Sequence, residues 1–296
     1  MSVNLLDYEG FKARILKDAS RFYSDADKVE IKSIVKNNGV RLDGLSITEN
    51  GSNIAPAIYL NRFYDDYKEG RSLDDIIRTV VEMYEQNRAE KCFDVGLFCD
   101  FERIKDNLAI RLINYERNKD MLSHTPHRKF VDLAVVYMAV LNHTSYGNAS
   151  ILVNEEVRKL WKVGDDELHA AALAGAMATQ RPVIRRLTEY LSSFMGGEYV
   201  ENEMMVLTNE SGLYEASVMV YKDLLKEVSE GLESNLFIIP SSIHEIIVLP
   251  AKSLYGAGWL KDMVHSVNET VLAASDVLSD SLYIYKADDD SVTMVD

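Results

Sequence analysis

The chain has 296 residues, of which 47% are hydrophobic and 27% are charged, a composition typical of globular rather than disordered proteins. Five prolines and fifteen glycines exclude collagen-like and linker-type proteins, and two cysteines exclude a disulfide framework. The formal net charge of −15 argues against direct binding to nucleic acid or to an anionic membrane surface.

The first ninety residues predict a helix followed by a β-hairpin. Apolar residues over 8–23 recur at helical spacing, at Phe11, Ile15, Ala19 and Phe22. Asn38 and Gly39 separate two apolar-rich runs, which is a strong signal for a hairpin turn.

A third strand and two helices complete this segment. Residues 54–60 predict a strand in which Pro56 indicates an edge position. Asn61 is the expected cap of a short helix, and Ser72 with Asp75 predicts the start of another. The segment is therefore expected to be an α-β-β-β-α-α unit.

The middle of the chain predicts strands, helices and one ambiguous region. Residues 108–115 indicate a strand with one buried face, and the apolar run at 130–141 indicates a strand buried on both faces. Residues 165–179 predict an alanine-rich helix, whereas the type of 183–195 stays open.

The last third predicts further strands and helices. A helical region over 214–232 has an expected break near Tyr221, and short strands, a helix over 255–272 and a final strand follow. The tail from Ala287 is expected to fray.

These elements predict an α+β fold, with antiparallel or mixed sheets built from hairpins and with intervening helices. The expected domains are residues 1–90 and 91–296, with a possible further boundary at Gly196 and Gly197. The start of the chain has neither a basic segment nor an apolar run, and no apolar stretch is long enough to span a membrane. We expect a cytoplasmic protein with reduced cysteines.

The negative charge is concentrated in the last third. Residues 197–296 hold 5 cations and 18 anions, whereas residues 1–196 are close to neutral. This segregation is consistent with a solubilising surface, and also with a docking face for a protein partner with a basic surface.

One turn carries groups that acid–base chemistry uses. Ser241, Ser242, His244 and Glu245 follow Pro240 beside a predicted strand. The alternative is a polar turn in which the hydroxyls accept hydrogen bonds from backbone amides. Nucleophile-elbow, phosphate-loop and dinucleotide-binding motifs are absent from the sequence, so no catalytic residue and no cofactor is assigned.

Two further groups of residues have a functional and a structural interpretation. Zinc ligands of the expected types occur in chain order at Cys92, Cys99, His124 and His127, although the spacing is unlike that of structural zinc sites. The arginines at 181, 185 and 186 could hold an anion, or could pair with the acidic last third.

Several strings together resemble an uncharacterised bacterial family, common in gut Clostridia, that is labelled domain of unknown function 5688. They lie at 35–45, 53–60, 67–73, 112–118, 126–130, 206–209, 239–245 and 278–281. The resemblance spans nearly the whole chain and implies a bacterial, cytoplasmic setting but no activity. His127 and His244 lie within these strings.

Two functional hypotheses follow. The first is a non-enzymatic interaction or regulatory protein that acts through the acidic last third. It could be an inhibitor or a nucleic-acid mimic from a phage or mobile element, and mimicry requires carboxylates in rows on one face. The second is a hydrolase or transferase in which His127, Arg128, His244 and Glu245 converge in one pocket.

Overall fold

A computed structural model describes residues 5–50, 52, 55–86, 95–144, 147–195 and 203–296. The chain divides into two compact units, Met1–Val95 and Gly96–Asp296. Each unit is described by itself below.

The N-terminal unit has the predicted order of elements. They are α1 (Tyr8–Ala19), β1 (Lys28–Val35), β2 (Arg41–Thr48), β3 (Ala57–Tyr59), α2 (Asn61–Lys68) and α3 (Leu73–Gln86). The strands form an antiparallel sheet in the order β1-β2-β3, so that β3 lies at an edge, as Pro56 indicates. The helices bury Phe11, Ile15 and Ile76 against this sheet.

The turn and cap signals of this unit are confirmed with two exceptions. Asn38 and Gly39 both have positive φ angles, 59° and 71°, inside the loop that joins β1 to β2. Ser72 Oγ accepts a hydrogen bond from the amide of Asp75 (3.1 Å). Asn61, however, does not cap α2, because its Oδ1 accepts from the amide of Asp43 (2.9 Å). Phe22 is 62% exposed and does not continue the buried face of α1.

The larger unit alternates short strands with helices. Its helices are α4 (Val95–Cys99), α5 (Phe101–Ile104), α6 (Lys119–Leu122), α7 (Glu155–Trp161), α8 (Asp165–Thr179), α9 (Leu187–Met195), α10 (Lys222–Gly231) and α11 (Ala257–Thr270). Its strands are β4 (Leu108–Asn114), β5 (His127–Phe130), β6 (Leu133–Thr144), β7 (Gly147–Leu152), β8 (Pro182–Arg186), β9 (Met205–Asn209), β10 (Leu236–Ile239), β11 (Ile246–Pro250), β12 (Tyr283–Lys286) and β13 (Ser291–Met294). A 3-10 helix at Glu215–Val220 precedes α10, and Tyr221 separates the two as predicted.

The larger unit contains two sheets, and every strand pairing described in them is antiparallel. The first, here called the middle sheet, has the order β4-β6-β5, with β7 also paired to β6. The second has six strands in the order β13-β12-β10-β11-β9-β8. The α+β fold is therefore confirmed, and its sheets are antiparallel rather than mixed.

One continuous core joins the two sheets of the larger unit. It contains Ile110 and Leu112 of β4 together with Ile238 and Val248 of the six-stranded sheet. Helix α8 approaches β4 closely at Gly175, where an added Cβ would lie 2.3 Å from the carbonyl oxygen of Leu108. Only glycine permits this approach. The other face of the six-stranded sheet is covered by α11.

Three predictions about these strands need correction. The apolar run at 130–141 is interrupted by a turn in which Val131 has φ = 57°, so that β5 and β6 form a hairpin. Strand β4 is buried on both faces rather than on one. The tail does not fray, because residues 291–294 pair with β12 as an additional strand. The ambiguous residues 183–195 divide into strand β8 and helix α9.

A partly buried carboxylate ties the end of the chain to the middle sheet. Asp132 accepts hydrogen bonds from the hydroxyl groups of Ser279 (2.7 Å), Ser281 (3.1 Å) and Tyr283 (2.6 Å). Ser279 and Tyr283 are both fully buried. Burial, followed by the adjacent Asp132 carboxylate, raises the pKa of Tyr283, which keeps its hydroxyl a donor. We call these four residues the Asp132 clasp.

Candidate functional site

The turn between β10 and β11 is a well-satisfied polar turn. Ser242 is 3% exposed, and its Oγ donates to Glu245 Oε1 (2.9 Å) and accepts from the amide of His244 (3.0 Å). Ser241 is partly buried, and His244 is exposed. The hydroxyl of Ser242 therefore shapes the turn, while His244 and Glu245 are the groups that remain available for chemistry.

A second acid lies against this turn. The amide of Ala216 donates to the carbonyl oxygen of Ile243 (3.3 Å), which holds the start of the 3-10 helix beside the turn. Burial raises the pKa of Glu215 above its ordinary value; the charge of His244 opposes this shift, and that of Glu245 adds to it. Burial also raises the pKa of Tyr190, and Glu245 and Glu215 add to that shift. The turn after β10, the 3-10 helix and α9 thus bring titratable side chains together.

An arginine lies on the other side of the same loops. Arg111 of β4 lies 5.5 Å from the ring centroid of Tyr214, whose hydroxyl is hydrogen-bonded to Ser150 Oγ. Asp276 is near enough to act on the charge of Arg111, and its carbonyl oxygen accepts from the amide of Ile243 (2.9 Å). These backbone contacts hold the segments of Glu215, His244 and Asp276 beside one another, and Arg111 approaches them through Tyr214 and Asp276.

We call this place the loop junction. Its side chains belong to Arg111, Ser150, Tyr214, Glu215, His244, Glu245 and Asp276. A carboxylic acid with a raised pKa beside an imidazole and a second carboxylate is an arrangement that proton transfer uses. The guanidinium group of Arg111, which lies over the ring of Tyr214, can hold an anionic group.

Only part of the loop junction could be predicted from the sequence. His244 and Glu245 were singled out, whereas Arg111, Tyr214, Glu215 and Asp276 were not. Arg111 carried a signal, because it is a charged residue in the middle of an otherwise apolar strand. Glu215 and Asp276 carried no such signal, since only the folding of distant loops brings them to the turn.

His127 and Arg128 belong to the middle sheet and not to the turn between β10 and β11. Both lie on β5, so their side chains point to opposite faces of the middle sheet. His127 Nδ1 lies 2.8 Å from the carbonyl oxygen of Thr125, and its ring packs against Tyr115. The joint pocket of His127, Arg128, His244 and Glu245 that the second hypothesis requires is not observed among the described residues.

Arg128 instead joins a small cluster under α8. It is paired with Asp166, and His169 Nδ1 lies 3.2 Å from the hydroxyl of Tyr137. Burial, followed by the charge of Arg128, lowers the pKa of His169. Burial raises the pKa of Tyr137 to about 12, so its hydroxyl stays protonated at neutral pH. The cluster is satisfied internally.

The weak zinc hypothesis gains no support from geometry. Cys92 lies outside the described residues. Cys99 is an exposed free thiol at the end of α4, and His124 is exposed in the turn after α6. Across the described residues, no three side chains of the ligand types gather at one point.

The three arginines are not arranged as a helix would place them. Arg185 and Arg186 lie on strand β8, where successive side chains point to opposite faces, and Arg181 precedes it. All three are exposed. Arg185 lies near Tyr190, at the rim of the loop junction.

The acidic last third forms a row of carboxylates on α10. Asp223, Glu227 and Glu230 are exposed at a spacing of four and three residues, while Leu224 and Val228 face the core. Residues at this spacing lie on one side of a helix. Lys226 stands in the same row, 4.0 Å from Glu230.

The row continues onto the turn between β12 and β13. The amide of Ala287 donates to Asn235 Oδ1 (3.0 Å), which holds this turn beside the loop after α10. Tyr285 donates to Asp290 (2.9 Å), and its pKa is raised to about 12 by burial, by this bond, and by charges that include Glu230. We call the exposed carboxylates of this surface the acidic ridge: Asp223, Glu227, Glu230, Glu233, Asp288 and Asp289.

Helices of the described residues are all too short or too polar to cross a membrane. Neither the curated proteins nor the solved structures offer a match to this chain. The chain does match the family described as "Family of unknown function (DUF5688)" over residues 8–287. That match covers nearly the whole sequence, including the loop junction and most of the acidic ridge, and the chain therefore belongs to this family of unknown function.

Proposed function

We propose that this protein is a non-enzymatic interaction or regulatory protein whose acidic ridge docks on a basic surface of a protein partner. The observation that carries the proposal is the row of Asp223, Glu227 and Glu230 on the outer side of α10. Carboxylates that only solubilise a protein need no common face, whereas a docking face requires one.

The charge density of the ridge favours a basic protein surface over the groove of a nucleic-acid-binding protein. At a rise of about 1.5 Å per residue, the three carboxylates of α10 span about 10 Å, or one charge per about 5 Å. One strand of DNA carries a phosphate every 3.4 Å or so. The positive charge of Lys226 lowers the negative charge density of the row further. The ridge therefore supports inhibition of a basic protein more than close mimicry of nucleic acid.

The proposal is tested by capturing partners from a bacterial lysate on the tagged full chain, with salt raised in steps. We expect a basic protein that is retained at low salt and released as salt screens exposed charge pairs. The triple variant Asp223→Lys, Glu227→Lys, Glu230→Lys should lose it.

The matched control reverses three exposed carboxylates on three different helices outside α10, with the same change in net charge. Glu69, Glu82 and Glu269 are exposed in α2's C-terminal turn, α3 and α11. This variant should retain the partner. If it loses the partner as the ridge variant does, net charge and not the ridge is responsible, and the proposal is wrong. DNA added to the lysate should compete only if the partner is a nucleic-acid-binding protein.

A bacterial, cytoplasmic setting is part of the same proposal. Its support is the resemblance noted above together with the exposed free thiol of Cys99, which suits a reducing compartment. Fractionation of cells that express the protein from its own gene tests this directly.

A second candidate is a hydrolase or transferase centred on Glu215, His244 and Glu245. The observation in its favour is the raised pKa of Glu215 beside the other two groups. Turnover of p-nitrophenyl acetate or p-nitrophenyl phosphate that Glu215→Gln abolishes, without loss of folding, would favour this candidate over the first.

A further inference from the structure

Arg111 is a guanidinium group without the partners that such groups normally have. Its Nε is buried and has no hydrogen-bond partner among the described residues. Its contact is the ring of Tyr214 at 5.5 Å, and Asp276 acts on it only through its charge. Burial lowers the pKa of Arg111 from its ordinary value.

A charged group whose Nε is shielded from water costs free energy unless a counter-ion is supplied. Three other arginines of the unit have a carboxylate partner: Arg117 has Asp280, Arg128 has Asp166, and Arg158 has Glu155. Arg111 lies in β4, in the middle of the apolar sequence Leu108–Asn114, where an apolar residue would pack without this cost. A charged residue at this position, without a hydrogen-bond partner for its Nε among the described residues, points to an anionic ligand.

A cavity of about 270 Å³ lies next to this arginine, which borders the cavity without being one of its lining residues. Ala109, two residues before Arg111 and on the same face of β4, lines it, and so does Leu213, the neighbour of Tyr214. Val140 and Leu141 of β6 add further apolar wall. The volume is slightly below the range, from roughly 300 Å³, of pockets for drug-sized ligands, so it suits a small metabolite.

The cavity also holds an acceptor that lacks a donor. Gln180 is 1% exposed and lines the cavity. Its Nε2 donates to the carbonyl oxygen of Leu213 (2.7 Å), and this bond leaves Oε1 as the free end of the amide. Oε1 is buried and has no partner among the described residues. A buried acceptor without a partner, in the wall of a cavity, calls for a donor on a ligand.

We propose that this cavity binds a small monocarboxylate. The carboxylate of the ligand pairs with Arg111, close to the hydroxyl groups of Ser150 and Tyr214. A compact apolar body fills the cavity, and a hydroxyl or amino group donates to Gln180 Oε1. Asp276 lies near enough to Arg111 to add negative charge, which disfavours a doubly charged phosphate and favours a single carboxylate.

The test is calorimetric titration of the full chain with a panel of hydroxy- and amino-monocarboxylates that ranges from lactate to 4-hydroxybenzoate. Benzoate, which lacks the donor, and inorganic phosphate are titrated in parallel. We expect saturable binding of at least one panel member, weaker binding of benzoate, and weaker binding still of phosphate. The proposal is overturned if no panel member binds at millimolar concentration, or if phosphate binds more tightly than every carboxylate.

Variants then assign the binding to these residues. Arg111→Met should weaken the best panel member at least about tenfold, as expected for loss of a charged hydrogen-bond pair, while the unliganded protein melts at the same temperature or higher. Arg111→Lys, which keeps the charge and so guards against a folding defect, should bind with intermediate affinity. Gln180→Met should weaken the panel member but not benzoate, and Leu213's carbonyl oxygen keeps its bond from Asn209.

The matched control is Arg128→Gln, on the other face of the middle sheet. It should bind the panel member as the unchanged protein does. Equal loss of binding in the Arg128 and Arg111 variants, or full binding by Arg111→Met, would show that the ligand does not use Arg111.

Discussion

The larger unit contains two groups of enclosed charges with opposite properties. In the Asp132 clasp, one carboxylate accepts three hydroxyl hydrogen bonds, and two of its donors are fully buried. In the loop junction, Glu215 has a pKa raised by burial, and Arg111 has a buried Nε without a partner among the described residues. The clasp is satisfied within the chain, whereas the junction is not.

This difference separates structural charges from functional ones. A satisfied charge fixes geometry: the clasp joins β12 and the segment before it to the β5–β6 turn, across about 150 residues of sequence. An unsatisfied charge costs stability, and proteins accept that cost mainly where a ligand or a reaction uses the group. Substitutions should therefore lower the free energy of unfolding in the clasp and raise it in the loop junction.

The largest expected effect is in the clasp. Asp132→Ala leaves the buried hydroxyls of Ser279 and Tyr283 without an acceptor and should lower the free energy of unfolding by about 3–5 kcal/mol. Urea denaturation measures it. Tyr283→Phe, which removes one donor and keeps the ring, should cost about 1–2 kcal/mol. A loss below 1 kcal/mol or so for Asp132→Ala would contradict the structural role of the clasp.

Glu215→Gln should have the opposite effect and raise the free energy of unfolding at pH 7 by about 0.5–1 kcal/mol. A gain of this size is typical of one stabilising substitution. Because the folded pKa of Glu215 is raised, the unfavourable ionisation grows as pH rises from the unfolded value of about 4.3 through the folded one. The gain should therefore vanish below about pH 4.

The control for this measurement is Glu210→Gln, because Glu210 is exposed. This substitution should leave the free energy of unfolding unchanged at pH 7 and at about pH 4. A Glu215→Gln variant that is destabilised at pH 7 would show that the ionised carboxylate is a structural group.

The smallest expected effect is that of His244→Ala. His244 is exposed, and its backbone amide rather than its ring donates to Ser242 in the turn. The free energy of unfolding should change by no more than about 0.5 kcal/mol. A larger loss in thermal denaturation would make the imidazole part of the turn, and would remove it from the candidate acid–base group.

Local signals predicted much of the fold. The Asn38–Gly39 turn, the cap formed by Ser72 and the break at Tyr221 depend on residues next to one another in sequence, and all three are present. The errors have a common origin. Asn61 does not cap α2, because its side chain accepts a hydrogen bond from the amide of Asp43. The tail at 291–294 forms a strand because it pairs with the edge of β12. Such tertiary partners are not visible in a local pattern.

The candidate site was less predictable than the fold. The turn at 240–245 was identified from its residue types, but its neighbours come from β4, the 3-10 helix and the loop before β12. Arg111 could have been suspected from its charge within an apolar strand. The spacing of Asp223, Glu227 and Glu230 was readable once α10 was assigned, whereas the approach of Asp288 and Asp289 to that row required the structure.

The most direct test of the proposed docking surface is the affinity of the full chain for a fluorescent oligolysine peptide, measured by anisotropy as salt is raised. The ridge variant at 223, 227 and 230 should lose at least about tenfold in affinity and show a shallower salt dependence, whereas the scattered variant at 69, 82 and 269 should lose less than about threefold. Equal losses in the two variants would mean that the acidic ridge is not a docking surface and that only net charge attracts the peptide.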